Sequence, residues 1–145
     1  MSIALDVPAK LSHAAYGDCA CGADCTFIQV GDRGLKCYNN SNIRDRFYRL
    51  QRSLAAKGLA PACDDCVEVK IDTSCGGRTV YAFWSVCADV ACDVYATTNR
   101  SPKRLTDRDD LKDRLLRAGY SWLDIHDGNW GYINGRAVLI DVAGY

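Results

Sequence analysis

The chain has 145 residues and a mass of 16.0 kDa, a size that fits one compact domain. Eighteen basic residues balance eighteen acidic ones, so no overall field attracts a polyanion or an anionic membrane, and neither is expected as a partner. The N-terminus lacks the basic flank and long apolar stretch of a signal peptide, and no apolar run approaches the roughly 20 residues that span a bilayer. The composition predicts a cytoplasmic protein.

The nine cysteines are an odd number, which argues against a complete secreted disulfide framework. Two clusters, CACGADC at 19–25 and CDDC at 63–66, could together supply four thiolates to a zinc ion. Many of the nine lie in apolar surroundings such as LKCY and WSVCADVAC, where cysteine acts as a small buried hydrophobe. Structural thiols are therefore the favoured interpretation, with zinc binding and redox chemistry as alternatives.

The first clear element in chain order is a β-hairpin, since residues 1–16 carry little periodic signal. Thr26–Val30 and Leu35–Tyr38 are rich in β-prone residues, and the GDRG between them is typical of a turn. The chain then carries Asn and Ser as candidate helix caps, followed by Gly58 and Pro61 as stop signals. Between them, apolar residues recur three or four apart and predict an amphipathic helix: Ile43, Phe47, Leu50, Leu54.

Two further strands are predicted at 66–73 and 78–86, joined by SCGG. The first of them alternates strictly between apolar and polar residues. The fold class predicted for the whole chain is α+β. Residues 1–87 are expected to form an antiparallel sheet with one helix, and residues 88–145 a second part of the same compact domain.

The second part begins with a connector, 88–104, that has weak signals. Thr106 is predicted to cap a helix that runs through acidic residues to Gly119, with Leu111, Leu115 and Leu116 on its apolar face. Two short strands are then predicted, Trp130–Ile133 and Ala137–Ile140, turned by Asn134 and Gly135.

Three polar residues surround this last hairpin: Asp124, Asn129 and Asp141. Phosphoryl transfer needs a lysine for phosphate oxygens, oxygen ligands for Mg²⁺ and an acidic group that orients the attacking hydroxyl. With Lys36 on the earlier hairpin, the chain contains these parts in order. The competing interpretations are a solvated strand lysine, turn or capping acids, and an Asx turn at Asn129.

The segments GLKCY and LDIHDGNWGYINGRAVLIDVAGY resemble the protein-kinase-like superfamily, especially small bacterial and phage kinase-like proteins and the aminoglycoside or choline kinase branch. There the catalytic loop has the form H-G-D-x-H-x-x-N and leads by a strand into the Asp of D-F-G. The resemblance covers roughly Gly17 to the C-terminus. It implies a kinase-like N-lobe at 1–87 and a much shortened C-lobe at 88–145.

The resemblance also implies roles for individual residues. Lys36 corresponds to the phosphate-positioning lysine, Asp124 to the catalytic Asp, and Asn129 and Asp141 to the Mg²⁺ ligands. Further positions would contact ATP, as a glycine-rich loop and as a hinge whose backbone pairs with adenine: Gly17, Cys19 and Gly22 in the loop, and Ser85, Val86, Cys87 and Ala88 in the hinge. His126 is expected to hydrogen-bond within the catalytic loop.

The sequence departs from the family pattern in several places. Trp122 stands where the family has the His of H-G-D, and D-F-G reads Asp141, Val142, Ala143. The helix predicted after Lys36 contains no glutamate to pair with the lysine, and Arg49 or Gln51 falls nearest that place. The sequence stops at Tyr145, so the resemblance implies that the activation segment and substrate-binding helices are absent.

Three functions follow as hypotheses. The first is a minimal ATP- and Mg²⁺-dependent phosphotransferase acting on a protein or small-molecule hydroxyl. The second is a catalytically weak or inactive pseudokinase-like binding module, phage-encoded, that acts on a host partner. The third is a cysteine-rich zinc protein. Under the first two, a homodimer or a host protein is expected to cover the helix at 106–119 and the last hairpin.

Overall fold

The computed structural model describes residues 19–21, 26–73, 76–90, 102–121, 123, 125 and 129–140. The protein is α+β, as predicted. Its elements in chain order are β1 (Cys19–Cys21), β2 (Thr26–Val30), β3 (Arg33–Tyr38), α1 (Ser41–Ala56), β4 (Cys63–Thr73), β5 (Gly76–Val86), β6 (Asp89–Val90), α2 (Pro102–Arg117), β7 (Trp130–Ile133) and β8 (Arg136–Leu139).

The chain divides into two compact units. Unit 1 comprises the described residues within 1–52 and 62–87, and unit 2 those within 53–61 and 88–145. The division falls inside α1, between Arg52 and Ser53.

Unit 1 contains an antiparallel five-stranded sheet with the order β1-β2-β3-β5-β4. The predicted hairpin is confirmed, with Phe27 opposite Lys36 and Ile28 opposite Leu35. Its turn is shorter than the GDRG of the prediction, because β3 already begins at Arg33. Gly31 has a φ of 64°, the left-handed conformation that glycine adopts at the first central position of a tight hairpin turn.

The central strands of this sheet are buried on both faces. One face carries an apolar cluster from four strands: Ile28, Leu35, Cys37, Val69, Val80, Ala82 and Trp84. The other, the helix-facing side, carries Tyr38, Cys63 and Phe83, which pack against Phe47 and Tyr48 of α1. Lys36 alternates with Leu35 and Cys37 along β3 and therefore shares the helix-facing side.

The helix α1 is confirmed, and its ends follow from local hydrogen bonds. Asn40 Oδ1 accepts from the Asn42 amide at 2.7 Å, the bond of an N-terminal cap. At the other end Gly58 has a φ of 70° and the Leu59 amide donates to the Leu54 carbonyl at 2.9 Å, which is a glycine C-cap. The predicted apolar face was partly wrong, because Ile43 is 39% exposed.

The strand β4 begins at Cys63 rather than at Cys66, because a β-bulge extends it. Pairing with β5 passes from Asp64 opposite Trp84 directly to Cys66 opposite Phe83, and the inserted Asp65 has a φ of 56°. Residues six apart in a regular strand would face the same side. The extra residue shifts this alternation by one, so Cys63 joins the helix-facing cluster while Val69 joins the opposite one.

Unit 2 contains α2 and an antiparallel three-stranded sheet with the order β6-β7-β8. The predicted capping role of Thr106 was wrong, because α2 begins at Pro102, a residue suited to the first helical position. The weak connector of the prediction therefore contains β6 and the first turn of α2. Leu111 and Leu115 are buried as predicted, but Leu116 is 60% exposed.

The last hairpin is confirmed, with β8 at Arg136–Leu139. Asn134 and Gly135 have φ values of 51° and 78°, the paired left-handed conformations of a type I′ turn. Neither described helix is long and apolar enough to cross a bilayer.

Candidate functional site

Lys36 is a buried lysine at the centre of the unit 1 sheet. It lies on β3, on the helix-facing side, and only 5% of it is exposed. Its Nζ donates to Oε1 of Gln51 at 2.6 Å. The interpretation of Lys36 as a solvated strand lysine is therefore wrong, because a buried ammonium needs specific polar partners.

Gln51 occupies the position in α1 from which a side chain reaches Lys36. It is fully buried, whereas Arg49, the other residue near that place in the sequence, is exposed. The amide Nε2 of Gln51 donates to Oγ of Ser85 at 2.9 Å. The resemblance implies a glutamate as the partner of this lysine, whereas the observed partner of Lys36 is a neutral amide.

Ser85 lies on β5 opposite Gly34 and is 1% exposed. Its hydroxyl donates to the Val86 carbonyl at 3.1 Å. Sequence reasoning placed Ser85 in the hinge for its backbone, but here its side chain belongs to the environment of Lys36. The register of β3 and β5 produces this contact, and only the structure supplies that register.

The backbone that follows Ser85 is hydrogen-bonded within unit 1. The Val86 amide donates to the Ala62 carbonyl at 2.9 Å, and the Cys87 amide donates to the Asp32 carbonyl at 3.3 Å. The backbone amides of Val86 and Cys87, two of the four residues that the resemblance places in the hinge, thus already donate to carbonyls of the protein. Ala88, the remaining hinge residue, belongs to unit 2.

The ring of Phe27 lies directly over Gly34. A Cβ placed at Gly34 would overlap the Cζ and Cε2 atoms of that ring. Phe27 and Gly34 sit diagonally across the β2–β3 ladder on the side that carries Lys36. A glycine at position 34 therefore leaves the space that this aromatic ring occupies.

Cys63 lies on the helix-facing side of the sheet, which it shares with Lys36. Burial raises the pKa of its thiol from 9.0 to about 11, while the positive charge of Lys36 acts in the opposite direction. Cys66 is exposed, and partial burial raises its pKa as well. Across the described ranges, no group of three or more His, Cys, Asp or Glu side chains could hold a metal ion.

In unit 2, Asn129 is 4% exposed and directly precedes β7. Its carbonyl accepts from the Ile140 amide at 2.7 Å, which continues the β7–β8 pairing beyond both strand ends. Leu123 and Ile125 are also buried, at 8% and 6% exposure. The backbone at Asn129 is thus anchored by the hairpin.

Several residues of the predicted site lie outside the described residues: Gly17, Gly22, Asp124, His126 and Asp141. Cys19, placed by the resemblance in the glycine-rich loop, lies on β1 opposite Ile28. The structure thus brings together Lys36 and Ser85 in unit 1, and it describes Asn129 within unit 2.

A second polar group in unit 2 was not predicted from the sequence. The Tyr132 hydroxyl donates to Oδ2 of Asp107 at 2.7 Å, and Lys103 Nζ donates to the same oxygen at 2.8 Å. Burial and the neighbouring carboxylate raise the pKa of Tyr132 to about 12, while the hydrogen bond from Lys103 lowers that of Asp107. In the sequence, the only feature that could have indicated this group is the i, i+4 spacing of Lys103 and Asp107 in α2. These contacts hold α2 against β7.

The arrangement in unit 1 therefore holds the Lys36 ammonium in a fixed orientation, and unit 2 contains the buried residue Asn129. No protein-family model, curated protein or solved structure matches this chain.

Proposed function

We propose that this chain is a minimal kinase-like protein that binds ATP and Mg²⁺ and transfers phosphate to a protein or small-molecule hydroxyl. One observation carries the proposal: Lys36 is buried on β3 and is held by a residue of the helix that follows. In protein kinases the phosphate-binding lysine also lies on the third strand and pairs with a glutamate of the next helix.

The residues present fit these ligands chemically. Lys36 would hold phosphate oxygens, because an ammonium oriented by Gln51 is a donor that phosphate accepts. Asn129 and Asp141 would hold Mg²⁺ through their oxygens, which this ion prefers. When bound, the ion would neutralise phosphate charge. Asp124 would accept the proton of the attacking hydroxyl, and the backbone of Ala88 would contact adenine.

A binding module without turnover is the second candidate, and the neutral side chain of Gln51 favours it. A glutamate at this position would form an ion pair with the lysine, which active protein kinases require. An amide keeps the hydrogen bond but not the charge. Nucleotide binding is thus expected under both candidates, and only phosphate transfer separates them.

A thermal-shift measurement with Mg²⁺ and ATP tests the proposal. At an ATP concentration near 100 times the dissociation constant, linkage predicts about 2.7 kcal/mol of stabilisation of the wild type. We expect Lys36→Met to lose most of this shift. Lys70→Met is the matched control, since Lys70 is an exposed lysine of β4, and it should keep the shift.

The absence of any shift in the wild type would refute the nucleotide site. Equal shifts in Lys36→Met and Lys70→Met would refute the role of Lys36. If the wild type binds, transfer of radiolabelled phosphate to a mixture of protein and small-molecule acceptors separates the two candidates. Loss of that transfer in Asp124→Ala, with ATP binding retained, is expected for the enzyme.

A further inference from the structure

Three hydrogen bonds link Lys36 to the end of β5, and each donor in the series points the same way. Lys36 Nζ donates to Gln51 Oε1, Gln51 Nε2 donates to Ser85 Oγ, and Ser85 Oγ donates to the Val86 carbonyl, at 2.6, 2.9 and 3.1 Å. The three side chains are 5%, 0% and 1% exposed. The series is therefore a buried polar network inside unit 1.

The direction of the series follows from the donor and acceptor capacities of its members. An ammonium can only donate, so it requires the carbonyl oxygen of the Gln51 amide. That orientation turns the amide NH₂ toward Ser85, whose hydroxyl can accept because its own proton goes to Val86. If the amide were reversed, two donors would face each other at Lys36. Lys36 and Ser85 thus fix the same orientation of Gln51 from opposite ends.

We propose that Ser85 is a positioning residue for Lys36. It acts through Gln51: its hydroxyl holds the amide so that Oε1 stays aimed at the ammonium, and the ammonium is thereby held for a polyphosphate. The step from positioning to ligand rests on the proposed function. No contact between Ser85 and a ligand is required, because the hydroxyl acts at a distance of two hydrogen bonds.

The environment makes this orientation sensitive to Ser85. Hydrogen bonds in a buried network strengthen one another, and a buried donor that loses its acceptor is costly. Ser85→Ala removes that acceptor from Nε2 while leaving the strand position filled. The amide can then rotate, and Lys36 loses an acceptor of fixed position.

The first measurement needs no ligand. In a ¹H–¹⁵N spectrum of the lysine ammonium groups, Lys36 should give a slowly exchanging signal, assigned by its absence in Lys36→Met. We expect Ser85→Ala and Gln51→Leu to weaken or abolish this signal. Ser85→Thr, which keeps the hydroxyl, should retain it, as should the control Ser53→Ala at an exposed position of α1.

The second measurement is the dissociation constant of inorganic tripolyphosphate with Mg²⁺. Ser85→Ala should weaken binding by about tenfold, which corresponds to one net hydrogen bond. Ser85→Thr should bind like the wild type. A purely structural role for Ser85 would lower the melting temperature but would change neither the Lys36 signal nor this constant.

The two arms fail in different ways. If the wild type binds neither tripolyphosphate nor ATP, the proposed function fails, and the ammonium spectrum still decides whether Ser85 positions Lys36. If the Lys36 signal is unchanged in either Ser85→Ala or Gln51→Leu, the positioning role of Ser85 is overturned even where ATP binds, because Ser85 acts on Lys36 through Gln51. Using both variants keeps the test decisive should one of them not fold.

Discussion

Cys63 and Cys66 belong to the same CDDC sequence but have different surroundings. Cys63 is 8% exposed and packs between β4 and α1, with its Sγ 4.0 Å from the Tyr48 carbonyl. Cys66 is exposed. The pKa of both thiols is raised, but reactivity also depends on access, so the exposed Cys66 should react faster than the buried Cys63 although only two residues separate them.

We expect iodoacetamide to modify Cys66 readily in the native protein and Cys63 only after unfolding. The raised pKa of about 11 keeps the Cys63 thiol protonated, and burial restricts access to it. Tandem mass spectrometry after timed alkylation and trypsin digestion measures both rates, because fragment ions distinguish the two cysteines within the single peptide Gly58–Lys70. A urea-unfolded sample is the control. Equal native rates would show that Cys63 is not buried.

The same pKa predicts how stability depends on pH. The folded-state pKa of Cys63 lies above its ordinary value of 9.0, so the folded protein holds this proton more tightly than the unfolded chain. The contribution of the Cys63 thiol to the free energy of unfolding is therefore fully present below about pH 9 and is lost as the pH rises toward 11. Urea unfolding at pH 8 and pH 10.5 measures this loss. Between the two pH values, the free energy of unfolding should fall less in Cys63→Ala than in the wild type.

At the residue scale, the sequence indicated Lys36 but not its partners. Its position in a β-prone run before a helix could be read directly, and Gln51 could be named only together with Arg49. Choosing between them requires the rotation of α1, and finding Ser85 requires the β3–β5 register. Both depend on packing between segments that are distant in sequence. The roles of Asp124 and Asp141 stay predictions.

Among the elements, those bounded by glycine and asparagine signals were predicted best. Gly58 ends α1, and Asn134 with Gly135 turns the last hairpin, because left-handed backbone conformations suit these residues. The start of α2 was wrong because Thr106 resembles a cap while Pro102 suits a first helical position equally well. The sequence therefore offers two possible starts for this helix, and local residue preferences alone do not choose between them.

The β2–β3 hairpin depends on the absence of a side chain at Gly34. We expect Gly34→Ala to destabilise the protein by about 1–3 kcal/mol, since the added Cβ displaces the Phe27 ring. Chemical denaturation measures this difference. In a Phe27→Ala background the same Gly34→Ala change should cost much less, and an equal cost in both backgrounds would contradict the contact.

At the scale of the molecule, protection should be uneven within unit 1. The strands β3 and β5 lie inside the sheet, and their residues Gly34–Tyr38 and Ala82–Ser85 are buried. The strand β1 is short and lies at one end of the strand order. Native-state stability usually falls toward such an edge.

We expect the amides of β3 and β5 to show the slowest hydrogen exchange in unit 1, and those of β1 to exchange much faster. Exchange followed by NMR at several denaturant concentrations measures the opening free energies. The amides of β5 should approach the global value. Similar protection of β1 and β5 would contradict a core centred on the inner strands.

The bulge at Asp65 also affects whether β4 can pair with a strand of another protein molecule. In the described strand order β4 lies at the other end of the sheet, and a long regular edge of this kind can pair with a strand from a neighbouring chain. The inserted residue breaks the even spacing of backbone groups along β4, and the exposed charges of Glu68 and Lys70 follow it. The irregularity that keeps Cys63 and Val69 on their proper faces thus also makes β4 a poor template for aggregation.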